Sequence, residues 1–444
     1  MTLTPTSLYA KLFIHGFSKP SYASVTARVA GALDDAILRR AGHDMAARYP
    51  LLGSVVQWAG PIPIAFRALP IEVAFPRGYQ TIDLGDVGDL ALDLPARFVA
   101  QLAEPPPPDA TLCRFWHVRG TFEGRPASAL ALQVHHAIVD ADSAKVFIGG
   151  FLDCYRARAQ GLAPALPPRP PARPWLGPGG RLADAARWLR TARLSAGRVP
   201  DTSLVADRRF DGPIERAPIE VTTLALATAE RQAIRDAVRR RGLTFGQAAC
   251  AALMRACARY NAARAEAPPE RVGLMVAVSP RRADETVAAA EDFGADSRTL
   301  ELPHALLADP GRRGELLDAV RAAIHRGKEG HNGVLLGLFY ASRLVRPPRR
   351  AGPRHVRRAH VVFSDFSGSV TSFLEAPFGG RHPGELALAS LDVAVSPVAL
   401  DQVNVLCARY LDTTTFRVIA HAGVVDGPAL TALLAEELRE LAHA

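Results

Sequence analysis

Residues 130–148, LALQVHHAIVDADSAKVFI, constrain the fold of this chain more than any other segment. The first part alternates. Leu130, Leu132 and Val134 fall on one face of a predicted strand, and His136 continues that face. The last part changes period. Ala144, Phe147, Ile148, Phe151, Leu152 and Tyr155 recur at three and four, with Asp142 or Ser143 available as N-cap. The pattern predicts strand, turn and helix, with His135 and His136 on the turn and Asp140 four residues past the second histidine. Polar side chains on such a turn project into a cleft from rigid supports.

An isolated histidine pair is most often an ordinary loop feature. Here apolar segments flank it on both sides, which favours a functional reading. A neutral imidazole, with a pKa near ~6.5, is the side chain best matched to proton transfer at neutral pH. A nearby carboxylate can fix its tautomer or the turn that carries it. His, His and Asp are also metal ligands. Adjacent histidines on a strand point to opposite faces, however, and the helical spacing of HExxH is absent, so no metal is expected.

The rest of the chain alternates strands and helices. Residues 24–30 read as a strand, and Gly31-Ala32-Leu33-Asp34 opens a helix. In that helix Leu33, Ile37, Leu38, Ala41, Met45 and Tyr49 form an apolar stripe that ends before Pro50. Residues 112–121 and 127–134 read as a hairpin connected through Glu123-Gly124-Arg125-Pro126. Residues 162–181 are rich in Pro, Gly and Arg and mark a boundary, and a basic helix is predicted over 182–196. Beyond it, strands are predicted at 221–227, 274–278, 360–364, 403–410 and 416–422. Helices are predicted at 229–241 and 246–260, with a final one capped by Asp426-Gly427-Pro428. The expected organisation is a first half over 1–165, a linker and basic helix over 166–215, and a second half over 216–444.

With 444 residues, 48% hydrophobic and 22% charged, the composition is that of a globular protein. No apolar run long enough for a membrane span and no basic-then-apolar leader is read, so a cytoplasmic protein is expected. Cys113, Cys154, Cys250, Cys257 and Cys407 are scattered, with no CxxC, and suit reduced core residues. The net charge of +9 comes almost wholly from arginine, the lysines being only Lys11, Lys19, Lys145 and Lys328. Without aromatic interleaving or a reading motif this does not suggest nucleic acid. It suits an acidic carrier protein or a phosphate-bearing co-substrate. Residues 343–358, RLVRPPRRAGPRHVRR, concentrate that charge, read either as a solvated loop or as a landing site for such a donor.

The segment HHAIVDA resembles the HHxxxDG motif of a superfamily of acyltransferases. It includes chloramphenicol acetyltransferase, nonribosomal peptide condensation domains, polyketide-associated and BAHD acyltransferases and wax ester synthases. The resemblance implies that His136 is the general base, that His135 and Asp140 hold the turn, and that Ala141 stands where the family has glycine. VAVSPRRADE resembles the strand that ends in an arginine, implying that Arg281 pairs with Asp140, with Arg282 the alternative. VVFSDFSGS resembles the condensation-domain strand written vSNlG, with Asp365 in place of asparagine and Ser364 as the candidate oxyanion donor. RGLTFGQ resembles a wax-synthase segment, but Gly246-Gln247 replaces Asn-Asp. EDFGAD and APFGGRHPG resemble the family's later motifs in degenerate form.

The implied fold is α/β with mixed sheets, in two chloramphenicol-acetyltransferase-like halves with the site in the cleft or tunnel between them. The implied activity is acyl transfer to the hydroxyl or amine of a small-molecule acceptor, in natural-product or lipid biosynthesis. No tightly bound cofactor is expected. The donor is a coenzyme A or phosphopantetheine thioester, carried as acyl-CoA or on an acyl or peptidyl carrier protein, and Arg349, Arg350 and Arg354 are candidate docking residues. The alternatives are a relative that only docks carrier proteins, or an isomerase or cyclase on the same scaffold.

Overall fold

The computed structural model describes residues 3–5, 22–59, 62–86, 111–139, 141–165, 203–210, 217–278, 296–328, 354–366, 387–397, 399–410 and 413–443. The first half contains β1 (Leu3–Pro5), β2 (Tyr22–Ala30), α1 (Asp35–Arg48), β3 (Ser54–Ala59), β4 (Ile62–Ala68), α2 (Ile71–Gly78), β5 (Tyr79–Asp86), β6 (Cys113–Phe122), β7 (Arg125–His135) and α3 (Ala141–Ala159). The second contains β8 (Leu204–Phe210), β9 (Ile219–Leu226), α4 (Thr228–Arg240), α5 (Phe245–Ala262), β10 (Arg271–Val278), β11 (Asp296–Pro303), α6 (His304–Ala308) and α7 (Arg313–Lys328). It continues through β12 (Arg354–Phe366), β13 (Ala387–Val395), β14 (Gln402–Tyr410), β15 (Thr413–His421) and α8 (Gly427–Ala442).

The first half is built on a five-stranded sheet, β13-β2-β7-β6-β5, in which only β5 and β6 run parallel. The β6–β7 hairpin turns on Glu123 (φ 53°) and Gly124 (φ 71°), a two-residue connection with both residues left-handed. This is tighter than the four-residue connection expected, because Arg125 and Pro126 already pair with Phe122 and Thr121. Leu130, Leu132 and Val134 point from β7 into a core with Leu38 and Met45 of α1 and Phe147 and Phe151 of α3.

Asp34 caps α1 by accepting from the Ile37 N–H at 2.9 Å. Asp35, one residue on, ties the helix to the sheet. Its Oδ1 lies 3.0 Å from His117 Nδ1 and accepts from the Tyr79 hydroxyl at 2.7 Å and Thr81 Oγ1 at 3.0 Å. Burial alone would raise this carboxyl. The bonds from His117, Arg39, Tyr79 and Thr81 outweigh that and hold it well below the usual carboxylate range.

The second half is built on a seven-stranded sheet, β11-β10-β12-β14-β15-β9, with β8 attached to β12. The contacts β10–β12 and β12–β14 are parallel. α5 is buried along nearly its whole length, and Arg255 on it meets Glu437 of α8 at 2.6 Å in the interior. A three-stranded sheet, β1-β4-β3, stands apart from both larger ones.

β13 connects the halves. It lies within 216–444 by sequence, yet it pairs antiparallel with β2, Leu391 opposite Ala27 and Val393 opposite Val25. Leu391, Val393 and Ala394 share a core with Phe366, Leu406, Ala408 and Ile419 of the second half and with Ala137, Ile138 and Val139 of the histidine turn. The link also has polar ties. Arg417 of β15 donates to Asp392 at 2.7 Å with both side chains buried, and Asn404 of β14 donates to the Val395 carbonyl at 2.8 Å.

The basic stretch ends as a strand. Arg354 opens β12 opposite Phe210 of β8, and Arg357 and Arg358 are exposed on that strand. The loop expectation therefore fails for residues 354–358. Backbone pairing with β8 fixes them. The predicted basic helix over 182–196 lies outside the described residues.

Candidate active site

β7 ends at His135, and α3 begins at Ala141. Between them the chain turns back on itself, with the Ile138 N–H donating to the His135 carbonyl at 3.0 Å. Ala137, Ile138 and Val139 are all buried, so packing as well as hydrogen bonding holds the turn. Its two histidines differ in environment and in proton placement.

His135 is buried, 5% exposed. Its Nδ1 accepts the Ala137 N–H at 3.0 Å, so the ring carries its proton on Nε2. The Tyr22 ring meets it edge-on at 5.0 Å, because the register places Tyr22 opposite His135. Burial, with a smaller push from neighbouring His136, drives its pKa down to about 3. His135 is therefore a neutral structural group at physiological pH.

His136 is half-buried. Its Nδ1 lies 2.6 Å from the Val139 carbonyl oxygen. A carbonyl can only accept, so Nδ1 carries the proton and Nε2 is the basic nitrogen. A backbone carbonyl thus sets the tautomer, the task a carboxylate performs in many histidine bases. Sequence patterning places His136 on the turn but carries no signal for Val139 as its partner. Tyr22 was likewise not legible as the contact of His135. It also exchanges hydrogen bonds with Ser396, which follows β13, at 3.0 Å each way.

Asp140, Arg281 and Arg282 lie outside the described residues, as do Arg349 and Arg350. Ala141 is the first residue of α3. Ser364 is half-buried on β12, in register with Ala277 of β10 and Leu406 of β14. Asp365 follows it, exposed, and lines a cavity with Arg231 and Arg409, away from the histidine turn. Phe366, the next residue, packs in the core that holds Ala137–Val139, so the end of β12 reaches the turn through its apolar side. Arginines at 231, 235 and 239 carry a helical period and line that cavity from α4.

No family model matches the chain. Solved structures do. Trichothecene 15-O-acetyltransferase from Fusarium sporotrichioides aligns with a TM-score of 0.70 over 98% of this chain and 94% of that one, at 13% identity. The chain has the chloramphenicol-acetyltransferase-like fold. The first condensation domain of the calcium-dependent antibiotic synthetase aligns at 0.67 over 100% and 96%, with 17% identity. Polyketide synthase associated protein 5 from Mycobacterium tuberculosis aligns at 0.61 over 99% and 97%, with 16% identity. Each match spans both halves, so the shared fold covers the whole chain.

The cysteines do not supply a nucleophile. All five cysteines are buried, and burial pushes the Cys154 and Cys257 thiols up to about 12, so neither offers a thiolate at neutral pH. Among the described residues no three His, Cys, Asp or Glu side chains converge as a metal site. No helix among them is long and apolar enough to cross a membrane.

Proposed function

We propose that this chain is an acyltransferase that moves an acyl group from a thioester to a hydroxyl or amine, with His136 as general base. The carrying observation is the 2.6 Å contact from His136 Nδ1 to the Val139 carbonyl, which leaves Nε2 as the proton acceptor. In this reading Nε2 takes the proton of the acceptor as its oxygen or nitrogen attacks the thioester carbonyl. The tetrahedral oxyanion collapses, the C–S bond breaks, and the thiolate recovers the proton from the imidazolium. Ser364 is assigned to the oxyanion. His135 stays neutral and holds the turn, and Asp140, paired with Arg281, supports the turn rather than carrying the proton.

The donor is a coenzyme A or phosphopantetheine thioester. Arg349, Arg350 and Arg354 are assigned to donor docking, through the phosphates of coenzyme A or the acidic face of a carrier protein. The protein is assigned to the cytoplasm and to natural-product or lipid biosynthesis. The test is intact-mass detection of acyl transfer from acyl-CoA and from an acyl carrier protein to candidate acceptors, with wild type and His136→Ala. Transfer by wild type that disappears in the variant supports the reading. Equal transfer by both refutes it.

One comparison favours a second reading. The X-domain from teicoplanin biosynthesis, solved in a complex with OxyB, aligns with a TM-score of 0.60 over 100% of this chain and 94% of that one, at 18% identity. A docking module on this fold would bind carrier proteins with or without His136, so carrier binding in the absence of any transfer selects it.

A further inference from the structure

The five-stranded sheet carries a polar row beside the histidine turn. Ser24 of β2 stands opposite Gln133 of β7, and Arg114 of β6 stands opposite Gln133 on its other side. Side chains in such register share one face of the sheet, with neighbouring Cβ atoms about 5 Å apart. Tyr22 and His135 form the next row on that face. Two residues of strand separate the rows, so Gln133 lies about 7 Å from His135 along β7. One row the other way, Asp392 stands opposite Thr26 on the same face, and Arg417 of β15 reaches Asp392 there. The face is therefore turned toward the second half.

Two groups in the row lack partners. Gln133 is 1% exposed, yet its Oε1 has no hydrogen-bond partner among the described residues. A buried side-chain carbonyl in that state calls for an N–H or O–H donor. Arg114 is half-buried, and among the described residues its guanidinium has no hydrogen bond or ion pair. Arg158, Arg255 and Arg417, shielded to a similar or greater degree, each meet a carboxylate, those of Asp44, Glu437 and Asp392. The Arg114 charge is also felt across the row. Burial pushes the Tyr22 phenol up, and the guanidinium opposes that push.

We propose that this row recognises a free carboxylate on the acceptor, with the Arg114 fork taking its oxygens and Gln133 Oε1 accepting from a hydroxyl or amine beside it. A carboxylate is the planar anion whose two oxygens match a guanidinium fork. Arg114 and Gln133 are immediate neighbours, so the hydroxyl or amine belongs on the carbon next to the carboxylate or on the one after. An acceptor held as an ester or thioester has no carboxylate to offer, so the row selects the free acid. The acid site stands on the geometry of the sheet, and only the identity of its ligand as the acceptor rests on the transferase reading.

Calorimetric titration of the full chain with paired compounds tests this. The probes are glycolate, lactate, mandelate, salicylate, anthranilate, glycine and phenylalanine, each beside its methyl ester. At least one acid is expected to bind saturably, ~10-fold or more tighter than its ester. Arg114→Gln should erase that preference, and Arg114→Lys, which keeps the charge but not the fork, should retain part of it. Gln133→Leu should weaken acid binding severalfold while melting no lower than wild type, because it removes an unsatisfied buried amide. That pairing of weaker binding with undiminished melting separates loss of the site from loss of the fold. No acid bound more tightly than its ester, or an acid preference that survives Arg114→Gln, overturns the proposal. Acid-selective binding without transfer from any acyl donor refutes the transferase reading and leaves the site standing. Transfer to esters as readily as to acids overturns the site and leaves the transferase reading standing.

Discussion

Two adjacent histidines take opposite proton assignments because each meets a different backbone group. His135 Nδ1 receives an N–H, and His136 Nδ1 faces a carbonyl. Replacing His136 by alanine removes the base and leaves the turn's buried residues in place. Acyl transfer should fall ~10²–10⁴-fold, the usual worth of a general base. Thermal melting should stay within a degree or two, which calorimetry checks. His135 predicts a different signature. Its folded-state pKa of about 3 lies below the ordinary value of 6.5, so the unfolded chain binds the proton more readily. Its contribution is fully present above pH ~6.5 and is lost as pH falls toward 3, at up to about 1.4 kcal/mol per pH unit. Urea unfolding at pH 7, 6, 5 and 4 should therefore show wild type losing its advantage over His135→Gln. Parallel curves for the two proteins would place the acid sensitivity elsewhere.

At the level of elements, the segments with strong local patterns were legible. The alternation of Leu130, Leu132 and Val134 gives β7, the three-and-four spacing after it gives α3, and Asp34 with its apolar stripe gives α1. Contacts between elements were not legible, because a partner distant in sequence leaves no local mark. Gly42 illustrates this. It sits inside α1, where glycine costs helix stability, and the sequence gives no reason for it. In the structure α1 packs so close to α2 and α3 that a Cβ at Gly42 would collide with the Phe75 ring and lie 3.3 Å from Phe151. Both rings are buried, which restricts how far they can move. Gly42→Ala should thus destabilise the protein by about 1–3 kcal/mol despite alanine's better helix propensity. Denaturant titration checks the sign. A stabilised variant would mean that the α1–α2 contact yields readily.

For the whole molecule, the least legible feature is the exchange of β13. Residues 387–395 have strand-compatible alternation, but nothing in them names β2 as their partner across more than 350 positions of sequence. The crossing joins the five-stranded sheet to β14 and β15, and it brings the histidine turn and the end of β12 into one core. Of the polar ties across it, the Arg417–Asp392 pair is the most buried, at 3% and 6% side-chain exposure. A buried pair of this kind adds little net stability when intact, because desolvation of both ions offsets their attraction. Breaking it is another matter. Asp392→Ala leaves the Arg417 guanidinium buried without that carboxylate, which should cost about 3–5 kcal/mol in urea unfolding. Asp392→Leu combined with Arg417→Met removes both charges while filling similar volume, and should recover most of that loss. If the double variant is as unstable as the single one, the pair contributes through its geometry at the junction of the halves rather than through charge balance. A single variant as stable as wild type would show that the apolar packing of Leu391 and Val393 alone holds β13 in place.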